Sequence, residues 1–330
     1  MSKNAPFKNI AVIGAGTMGS GIAGQIANSE QEVLLLDIPG KTPNSITEDA
    51  VKKLIRSDPP ALMHKNKANL IKVGNIRDDF NKLANCDLII EAVVERLDIK
   101  KDLYNRINNI VNSKCVITSN TSTIPIKLLV EDMPQSFRER FAITHYFNPV
   151  RFMRLLELVR GEHTKSEIIK KLADYNDRIL GKGVVACNDT PGFLGNRVGV
   201  YALQVGMDEA YKLNLTVEEA DSLMGRPMGI PKTGIFGLYD LIGIDLMSDV
   251  VDTLGTILPD NDDFHKVGAS NIPTAELIKK MIDEGFTGNK GKGGFYRLDE
   301  KENEFYLDIY NNKTVQKSTQ LNEKAKVSAE

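Results

Sequence analysis

The 330-residue sequence contains no tryptophan, three cysteines and four histidines. The cysteines, Cys86, Cys115 and Cys187, are odd in number and far apart, so they form neither a disulfide framework nor a C-x-x-C metal or redox pair. No apolar run approaches the roughly 18 residues that a membrane span needs, and no signal-peptide segment precedes the first predicted strand. These absences predict a soluble, cytoplasmic protein with reduced thiols and no metal centre.

An excess of charge of either sign is also missing. The sequence has 42 lysines and arginines against 44 acidic residues, which gives a formal net charge of −2. A chain with this balance has no sequence-wide basic field of the kind that drives nucleic-acid binding. We therefore expect small-molecule chemistry rather than a nucleic-acid or membrane partner.

Residues 10–37 follow the order strand, glycine turn, helix and strand, which is typical of a βαβ unit. The turn comprises Gly14, Gly16, Thr17, Met18 and Gly19. Such a turn lets backbone N–H groups and a helix N-terminus approach a pyrophosphate. Asp37 ends the second strand. A carboxylate at this position accepts hydrogen bonds from the ribose hydroxyls of NAD and repels the 2′-phosphate of NADP, so NAD is favoured over NADP. The alternative is a glycine turn in a protein that binds no nucleotide.

Strands and helices continue to alternate up to residue 187, which predicts an α/β fold, a Rossmann-type doubly wound parallel sheet. A helix is predicted over 46–57, with a continuation over 62–73 after Pro59 and Pro60. From Asp189 onwards the apolar residues recur at helical spacing. We predict an NAD-binding domain over 1–188, an all-helical substrate and dimerisation domain over 189–298, and a tail or linker over 299–330.

His145 is the strongest candidate for imidazole chemistry, because it ends the predicted strand RFAITH. Glu157 lies in the apolar run RLLELV, where an unpaired carboxylate would be costly to bury, so we expect it to pair with His145. A carboxylate fixes the tautomer of an imidazole and raises its basicity. The alternative is a structural histidine and an outward-facing glutamate. The remaining histidines, His64, His163 and His265, are predicted at the surface.

Polar residues near two other predicted boundaries could hold a substrate oxygen. The run Ser119 to Thr123 follows a strand, and Asn196 lies near the start of the first helix of the second domain. Helix capping and turn formation explain such residues equally well. The lysines and Arg56 between residues 51 and 72 could contact phosphates or solvate a helix face.

Taken together, the motifs resemble those of the L-3-hydroxyacyl-CoA dehydrogenases over about residues 7–297. They are, in order, GAGTMGSGIA, EAVVERLDIKKDLY, SNTST, HYFNPVRFMRLLELV, DTPGFLGNRV and GKGGFY. Within that family the sequence looks closest to the dehydrogenase portion of the bacterial multifunctional fatty-oxidation enzymes. The resemblance implies NAD-dependent oxidation of a 3-hydroxyacyl-CoA in fatty-acid β-oxidation.

The resemblance also implies roles for particular residues. It makes His145 the catalytic base and Glu157 its orienting acid, with Ser122 and Asn196 as ligands of the substrate oxygen. Beside the glycine turn and Asp37, the residues at cofactor-contacting positions are Glu95, Lys100, Asn148 and Lys290.

Implied partners are an acyl-CoA substrate, a second copy of the chain by analogy, and a hydratase-type domain if the chain is part of a longer polypeptide. Two other functions remain open: a dehydrogenase of a free hydroxy acid, and a non-catalytic NAD-binding domain.

Overall fold

The computed structural model describes residues 5–230, 232–267, 273–298 and 304–316. The chain divides into two compact units, Met1–Phe193 and Leu194–Glu330. Within the described ranges, no helix combines the length and the apolar character needed to cross a membrane.

The first unit alternates strands and helices. Its strands are β1 (Ile10–Ile13), β2 (Val33–Asp37), β3 (Ile71–Asn75), β4 (Leu88–Glu91), β5 (Val116–Ser119), β6 (Phe141–Tyr146), β7 (Leu155–Arg160) and β8 (Gly183–Cys187). Its α-helices are α1 (Thr17–Asn28), α2 (Ser45–Arg56), α3 (Leu97–Asn108), α4 (Ile126–Val130), α5 (Gln135–Arg138) and α6 (Ser166–Asp174). A π-helical turn, Tyr175–Ile179, follows α6.

All eight strands form one sheet in the order β3-β2-β1-β4-β5-β6-β7-β8. Strands β1 to β6 are parallel, which confirms the predicted Rossmann-type sheet. Strand β7 is antiparallel to β6, and β8 is parallel to β7, so this pair departs from the all-parallel prediction. The segment 147–154 contains no helical crossover of the length that a parallel connection needs, so β7 returns beside β6 in the opposite direction.

Both faces of the sheet are buried, as expected for parallel strands with helices on either side. Ile10 and Val12 of β1 belong to one apolar cluster, whereas Ala11 and Ile13 belong to another. This alternation follows from the two-residue repeat of a strand, which directs neighbouring side chains to opposite faces. Because β1 to β6 are parallel, their carboxyl ends meet at one edge of the sheet.

The predicted continuation of a helix over 62–73 was wrong. Lys65–Leu70 form a 3-10 turn, and Ile71–Asn75 form β3, which pairs with β2 at the edge of the sheet. Ile71 is buried in the same apolar cluster as Ile10 and Val12 of β1. A short apolar run fits a helix or a strand by periodicity alone, and here pairing with β2 decides the outcome.

The second unit is mainly helical, as predicted. Its helices are α7 (Gly195–Lys212), α8 (Val217–Leu223), α9 (Phe236–Ile242), α10 (Ile244–Ile257), α11 (Phe264–Val267) and α12 (Pro273–Asp283). The unit also contains an antiparallel sheet of β9 (Tyr296–Leu298), β10 (Glu304–Asp308) and β11 (Lys313–Gln316).

Strands β10 and β11 fall within 299–330, the range predicted as a tail or linker. Leu307 of β10 is buried in the core of the second unit, and the Tyr310 hydroxyl donates to the backbone oxygens of Ala210 and Leu215 at 3.0 and 2.8 Å. Residues 304–316 therefore pack within this unit. The rest of the predicted tail, 299–303 and 317–330, lies outside the described residues.

Candidate active site

The carboxyl ends of the parallel strands bring the predicted site residues of the first unit to one edge. Ile13 at the end of β1 is in register with Leu36 of β2 and with Glu91 of β4. Glu91 is in turn in register with Ser119 of β5. In open α/β sheets, ligands bind in the crevice outside these ends, where the strand order reverses. Here the reversal lies between β1 and β4.

The glycine turn after β1 has the geometry that a pyrophosphate requires. A Cβ on Gly14, which has a φ of +103°, would lie 2.3 Å from the oxygen of Ala92, and one on Gly19 would lie 1.8 Å from the oxygen of Gly14. Both positions are therefore dictated by the fold. By contrast, a Cβ on Gly16 would meet no atom within 4 Å, so this glycine leaves open space above the turn.

Helix α1 begins at this turn without a side-chain cap. The N–H groups of its first turn, from Thr17 onwards, point out of the helix and carry the positive end of its dipole. An anionic group placed over Gly16 would accept from these N–H groups without a steric clash. The turn therefore fits a dinucleotide phosphate.

Asp37 is fixed beside the same turn by two backbone contacts. Its Oδ2 accepts from the Ala15 N–H at 2.5 Å and its Oδ1 accepts from the Ile38 N–H at 2.6 Å. Each carboxylate oxygen has a further lone pair, which suits a ribose diol. A 2′-phosphate in the same place would meet a negative charge.

His145 and Glu157 form a buried pair. The two residues lie directly opposite each other in the antiparallel ladder of β6 and β7, so their side chains project from the same face. His145 Nδ1 lies 2.6 Å from Glu157 Oε2, and the His145 side chain is only 8% exposed. Since an ionised carboxylate only accepts hydrogen bonds, we assign the proton to Nδ1, which leaves Nε2 as the basic nitrogen.

Apolar groups enclose the imidazole and limit its motion. The Phe147 ring lies 4.5 Å from the His145 ring, and the Phe193 ring lies 5.8 Å away. On the other side of the pair, Cys187 Sγ lies 3.9 Å from Glu157 Oε1. Low-dielectric surroundings strengthen the interaction between an imidazolium and a carboxylate. The imidazole is thus held between the Glu157 carboxylate and two phenyl rings.

The loop after β5 is tied to the strand that carries His145. The Asn120 Oδ1 accepts from the backbone N–H of Tyr146 at 2.9 Å. The Glu95 Oε1 accepts from the Thr121 hydroxyl and, at 3.3 Å, from the Ser122 N–H. Among the described residues, the Ser122 hydroxyl has no hydrogen-bond partner, so it is available to a ligand.

Glu95 is charged in this arrangement. Burial raises the pKa of its carboxyl, but the ammonium of Lys100 and the hydroxyls of Thr121 and Thr123 outweigh burial and hold the pKa below its usual range. Its Oε2 lies 3.2 Å from the Lys100 Nζ. The predicted cofactor residues Glu95 and Lys100 are thus brought together as an ion pair.

Glu91 was not found by the sequence reasoning. Its side chain is fully buried at the end of β4, and its Oε1 accepts from the Lys100 Nζ at 2.7 Å. The remaining hydrogen-bond donors to its carboxylate are the Tyr104 hydroxyl at 2.6 Å, the Ser119 hydroxyl at 2.7 Å and the Val93 N–H at 2.7 Å. The available signal was a carboxylate that closes the apolar run LIIE, which implies a partner by the same logic that identified Glu157.

Asn148 lies close to the glycine turn. It is exposed, and it lines a cavity of about 610 Å³ together with Gly16, Thr17 and Lys53 of α2. The turn that follows it is held by the buried Lys182, whose ammonium donates to the backbone oxygens of Val150 and, at 2.9 Å, Met153. Burial lowers the pKa of Lys182 to about 8.

Two predicted site residues belong to the second unit. Asn196 lies half-buried in the first turn of α7. The Lys290 Nζ lies 2.6 Å from the Asp245 Oδ1 at the start of α10. The loop that carries Lys290 is held by Asp240, which accepts from the N–H groups of Phe295 and Tyr296 at 2.9 and 2.7 Å. The participation of Asn196 and Lys290 in the site stays a prediction.

Of the other histidines, His64 and His163 are exposed and His265 is half-buried. The His265 Nε2 lies 3.0 Å from the backbone oxygen of Pro259. In the part of the chain that the structure describes, no group of three histidine, cysteine or acidic side chains could hold a metal ion.

The strand order, the glycine turn with Asp37 and the buried imidazole–carboxylate pair define a Rossmann-type dehydrogenase. Residues 9–190 match the family model of the 3-hydroxyacyl-CoA dehydrogenase NAD-binding domain, and residues 192–298 match that of the 3-hydroxyacyl-CoA dehydrogenase C-terminal domain. The chain belongs to the 3-hydroxyacyl-CoA dehydrogenase family, which confirms the resemblance and NAD as the cofactor.

Similar proteins include both short and long chains. A chain from Deinococcus radiodurans, named as a 3-hydroxyacyl-CoA dehydrogenase, is 39% identical over 90% of this chain and 84% of its own length. A chain from Rickettsia prowazekii, named as a fatty acid oxidation complex trifunctional enzyme, is 43% identical over 88% of this chain. This chain spans only 40% of the Rickettsia protein.

Solved structures with a similar fold include two that are 28% identical to this chain. FadB2 from M. tuberculosis is 28% identical, with a TM-score of 0.74 over 89% of this chain and 99% of that chain. The (S)-3-hydroxybutyryl-CoA dehydrogenase PaaH1 from Ralstonia eutropha is also 28% identical, with a TM-score of 0.70 over 86% of this chain and 96% of that chain.

Proposed function

We propose that the protein oxidises L-3-hydroxyacyl-CoA to 3-ketoacyl-CoA with NAD, as a step of fatty-acid β-oxidation in the cytoplasm. The observation that carries this proposal is the 2.6 Å pair of His145 and Glu157 at the same sheet edge as the glycine turn. A dehydrogenase of a hydroxyl group needs a base and a cofactor site side by side, and this edge supplies both.

In the proposed reaction, His145 Nε2 accepts the proton of the 3-hydroxyl, and Glu157 stabilises the imidazolium that forms. Ser122, whose hydroxyl is available, donates to the substrate oxygen, and Asn196 contributes a second hydrogen bond to it. NAD supplies the hydride acceptor, and the protein orients the C3 atom toward it. General base assistance of this kind contributes about 10²- to 10⁴-fold to the rate.

Most of the residues proposed to hold the cofactor belong to the first unit, on the two sides of the strand reversal, and Lys290 belongs to the second unit. The proposed set is Gly14, Gly16, Thr17, Met18, Gly19, Asp37, Glu95, Lys100, Asn148 and Lys290. The open space over Gly16 and the fixed carboxylate of Asp37 support the first part of this set. The contact of Lys100 with two carboxylates indicates that it acts mainly by orienting Glu95.

The domain roles and partners are part of the same proposal. The first unit would bind NAD, and the second would be the substrate and dimerisation domain. The named relatives PaaH1, for a hydroxybutyryl thioester, and the Rickettsia trifunctional enzyme, for fatty-acid oxidation, support the substrate class.

NADH formation with L-3-hydroxybutyryl-CoA, with a longer-chain homologue and with free 3-hydroxybutyrate tests this function. We expect turnover of the thioesters and negligible turnover of the free acid. Turnover of the free acid alone would favour a dehydrogenase of free hydroxy acids. NADH binding without turnover of any of the three would indicate a non-catalytic NAD-binding protein.

Substitution of Asp37 should change the cofactor preference. In Asp37→Asn the charge that repels a 2′-phosphate is lost, whereas an amide oxygen can still accept from one backbone N–H. We expect kcat/KM for NADP relative to NAD to rise about 10-fold or more, since like-charge contacts cost several kcal/mol. Asp177→Asn, at an exposed position of the π-helical turn after α6, is the matched control and should leave the ratio unchanged. An unchanged ratio in both variants would remove Asp37 from the cofactor site.

A further inference from the structure

Glu91 and Lys100 form a buried ion pair beside the site, and the partly exposed Glu95 joins it to make a cluster of three charges. The Lys100 Nζ lies 2.7 Å from Glu91 Oε1 and 3.2 Å from Glu95 Oε2. The Lys100 side chain is 1% exposed, that of Glu91 is fully buried and that of Glu95 is 38% exposed. One ammonium is thus shared by two carboxylates.

The cluster carries a net charge of −1, because two carboxylates face one ammonium. Four groups donate hydrogen bonds to the Glu91 carboxylate: the Val93 N–H, the Lys100 ammonium and the hydroxyls of Tyr104 and Ser119. Since all four act as donors, this is the environment of an ionised carboxylate, which can only accept hydrogen bonds. Burial and the neighbouring Glu91 hold the pKa of Tyr104 well above its usual range, so this hydroxyl stays neutral. Glu91 and Lys100 are shielded from solvent, so water and salt screen the charges of this part of the cluster weakly.

The position of the cluster in the sheet places it on the side where the nicotinamide half of the cofactor is expected. Asp37 lies on the β2 side of the glycine turn, where the adenosine ribose is expected. Glu91 ends β4 and is in register with Ser119 of β5, on the opposite side of the strand reversal. A dinucleotide that crosses the reversal therefore directs its nicotinamide half toward β4, β5 and His145 of β6.

The nicotinamide ring carries a formal positive charge when oxidised and none when reduced. We propose that the Glu91–Lys100–Glu95 cluster makes the site selective for the oxidised cofactor, through the attraction of its net negative charge. The inference rests on the proposed placement of NAD. This attraction favours binding of the oxidised cofactor, NAD, and release of the reduced cofactor, NADH. It assigns to Glu91 a role in binding that does not require contact with the cofactor.

Direct binding measurements test the proposal without any substrate. The dissociation constant of NADH is measured by its fluorescence and that of NAD by competition against NADH, in the wild type, Glu91→Gln and Glu91→Asp. At an effective dielectric of about 20 to 40, loss of a unit charge about 10 Å from a cation changes its binding by roughly 4- to 16-fold. We expect Glu91→Gln to weaken the binding of NAD relative to the binding of NADH by a factor in that range.

Glu91→Asp separates charge from shape, since it keeps the charge and alters the hydrogen bonds. It should change both affinities by similar factors. Tyr104→Phe removes a hydrogen bond to Glu91 without removing a charge and should likewise leave the ratio of the two constants unchanged. Should Glu91→Gln fail to fold, Glu95→Gln removes a charge at a partly exposed position and should shift the ratio in the same direction.

An equal loss of affinity for both cofactors in Glu91→Gln and Glu95→Gln would overturn the charge effect and leave the cluster a purely structural role. Failure of the wild type to bind NADH at all would instead overturn the cofactor placement. The two failures are therefore distinguishable.

Discussion

Substitution of His145 by glutamine is expected to lower kcat by about 10²- to 10⁴-fold, the contribution of a positioned general base. Glutamine can occupy the space of the imidazole and reach the Glu157 carboxylate, but it cannot take up the proton of the substrate hydroxyl. Because His145 lies in a buried strand within an otherwise intact core, NADH binding should stay within about 3-fold of the wild type. Steady-state turnover of L-3-hydroxybutyryl-CoA and fluorescence titration with NADH measure the two quantities.

His163→Gln is the matched control, since it makes the same change at an exposed histidine after β7. It should retain wild-type turnover. Wild-type-like turnover in His145→Gln, by contrast, would eliminate His145 as the base.

Glu157→Gln is expected to lower kcat by about 10²-fold or more, although the substituted atom never touches the substrate. A neutral amide stabilises the imidazolium less than a carboxylate does. If the amide nitrogen faces Nδ1, it also favours the tautomer with the proton on Nε2, which cannot act as a base. In a serine protease triad, the corresponding change costs about 10⁴-fold.

The measurement is kcat for the variant across pH, with Glu162→Gln as the control at an exposed position two residues beyond β7. The control should behave as the wild type. If Glu157→Gln lost stability but kept its kcat, the buried pair would be a structural contact and not part of proton transfer.

Site residues that lie within one short unit of the chain, or on strands that follow each other directly, could be predicted from the sequence. The glycine turn and Asp37 lie within one βαβ unit, whose geometry is nearly invariant. His145 and Glu157 lie on consecutive strands joined by a short segment, so a carboxylate buried in an apolar run had few available partners. In each case the chain itself brings the groups together.

Other features depend on tertiary contacts that no local pattern contains. Glu91 and Lys100 are nine residues apart, and their contact depends on how α3 returns to the end of β4; the carboxylate that closes LIIE implied a partner without identifying it. Ile71–Asn75 became an edge strand because β2 had a free side. Leu307 of β10 is buried in the core of the second unit, a contact that the sequence of this short segment does not show.

The most direct test of the proposed mechanism is a crystal structure of the protein with NAD and acetoacetyl-CoA, a 3-ketoacyl thioester. The account predicts the 3-keto oxygen within hydrogen-bond distance of His145 Nε2 and of the Ser122 hydroxyl, with Asn196 contributing a further donor. A keto oxygen bound away from His145, with the imidazole facing no substrate atom, would contradict it.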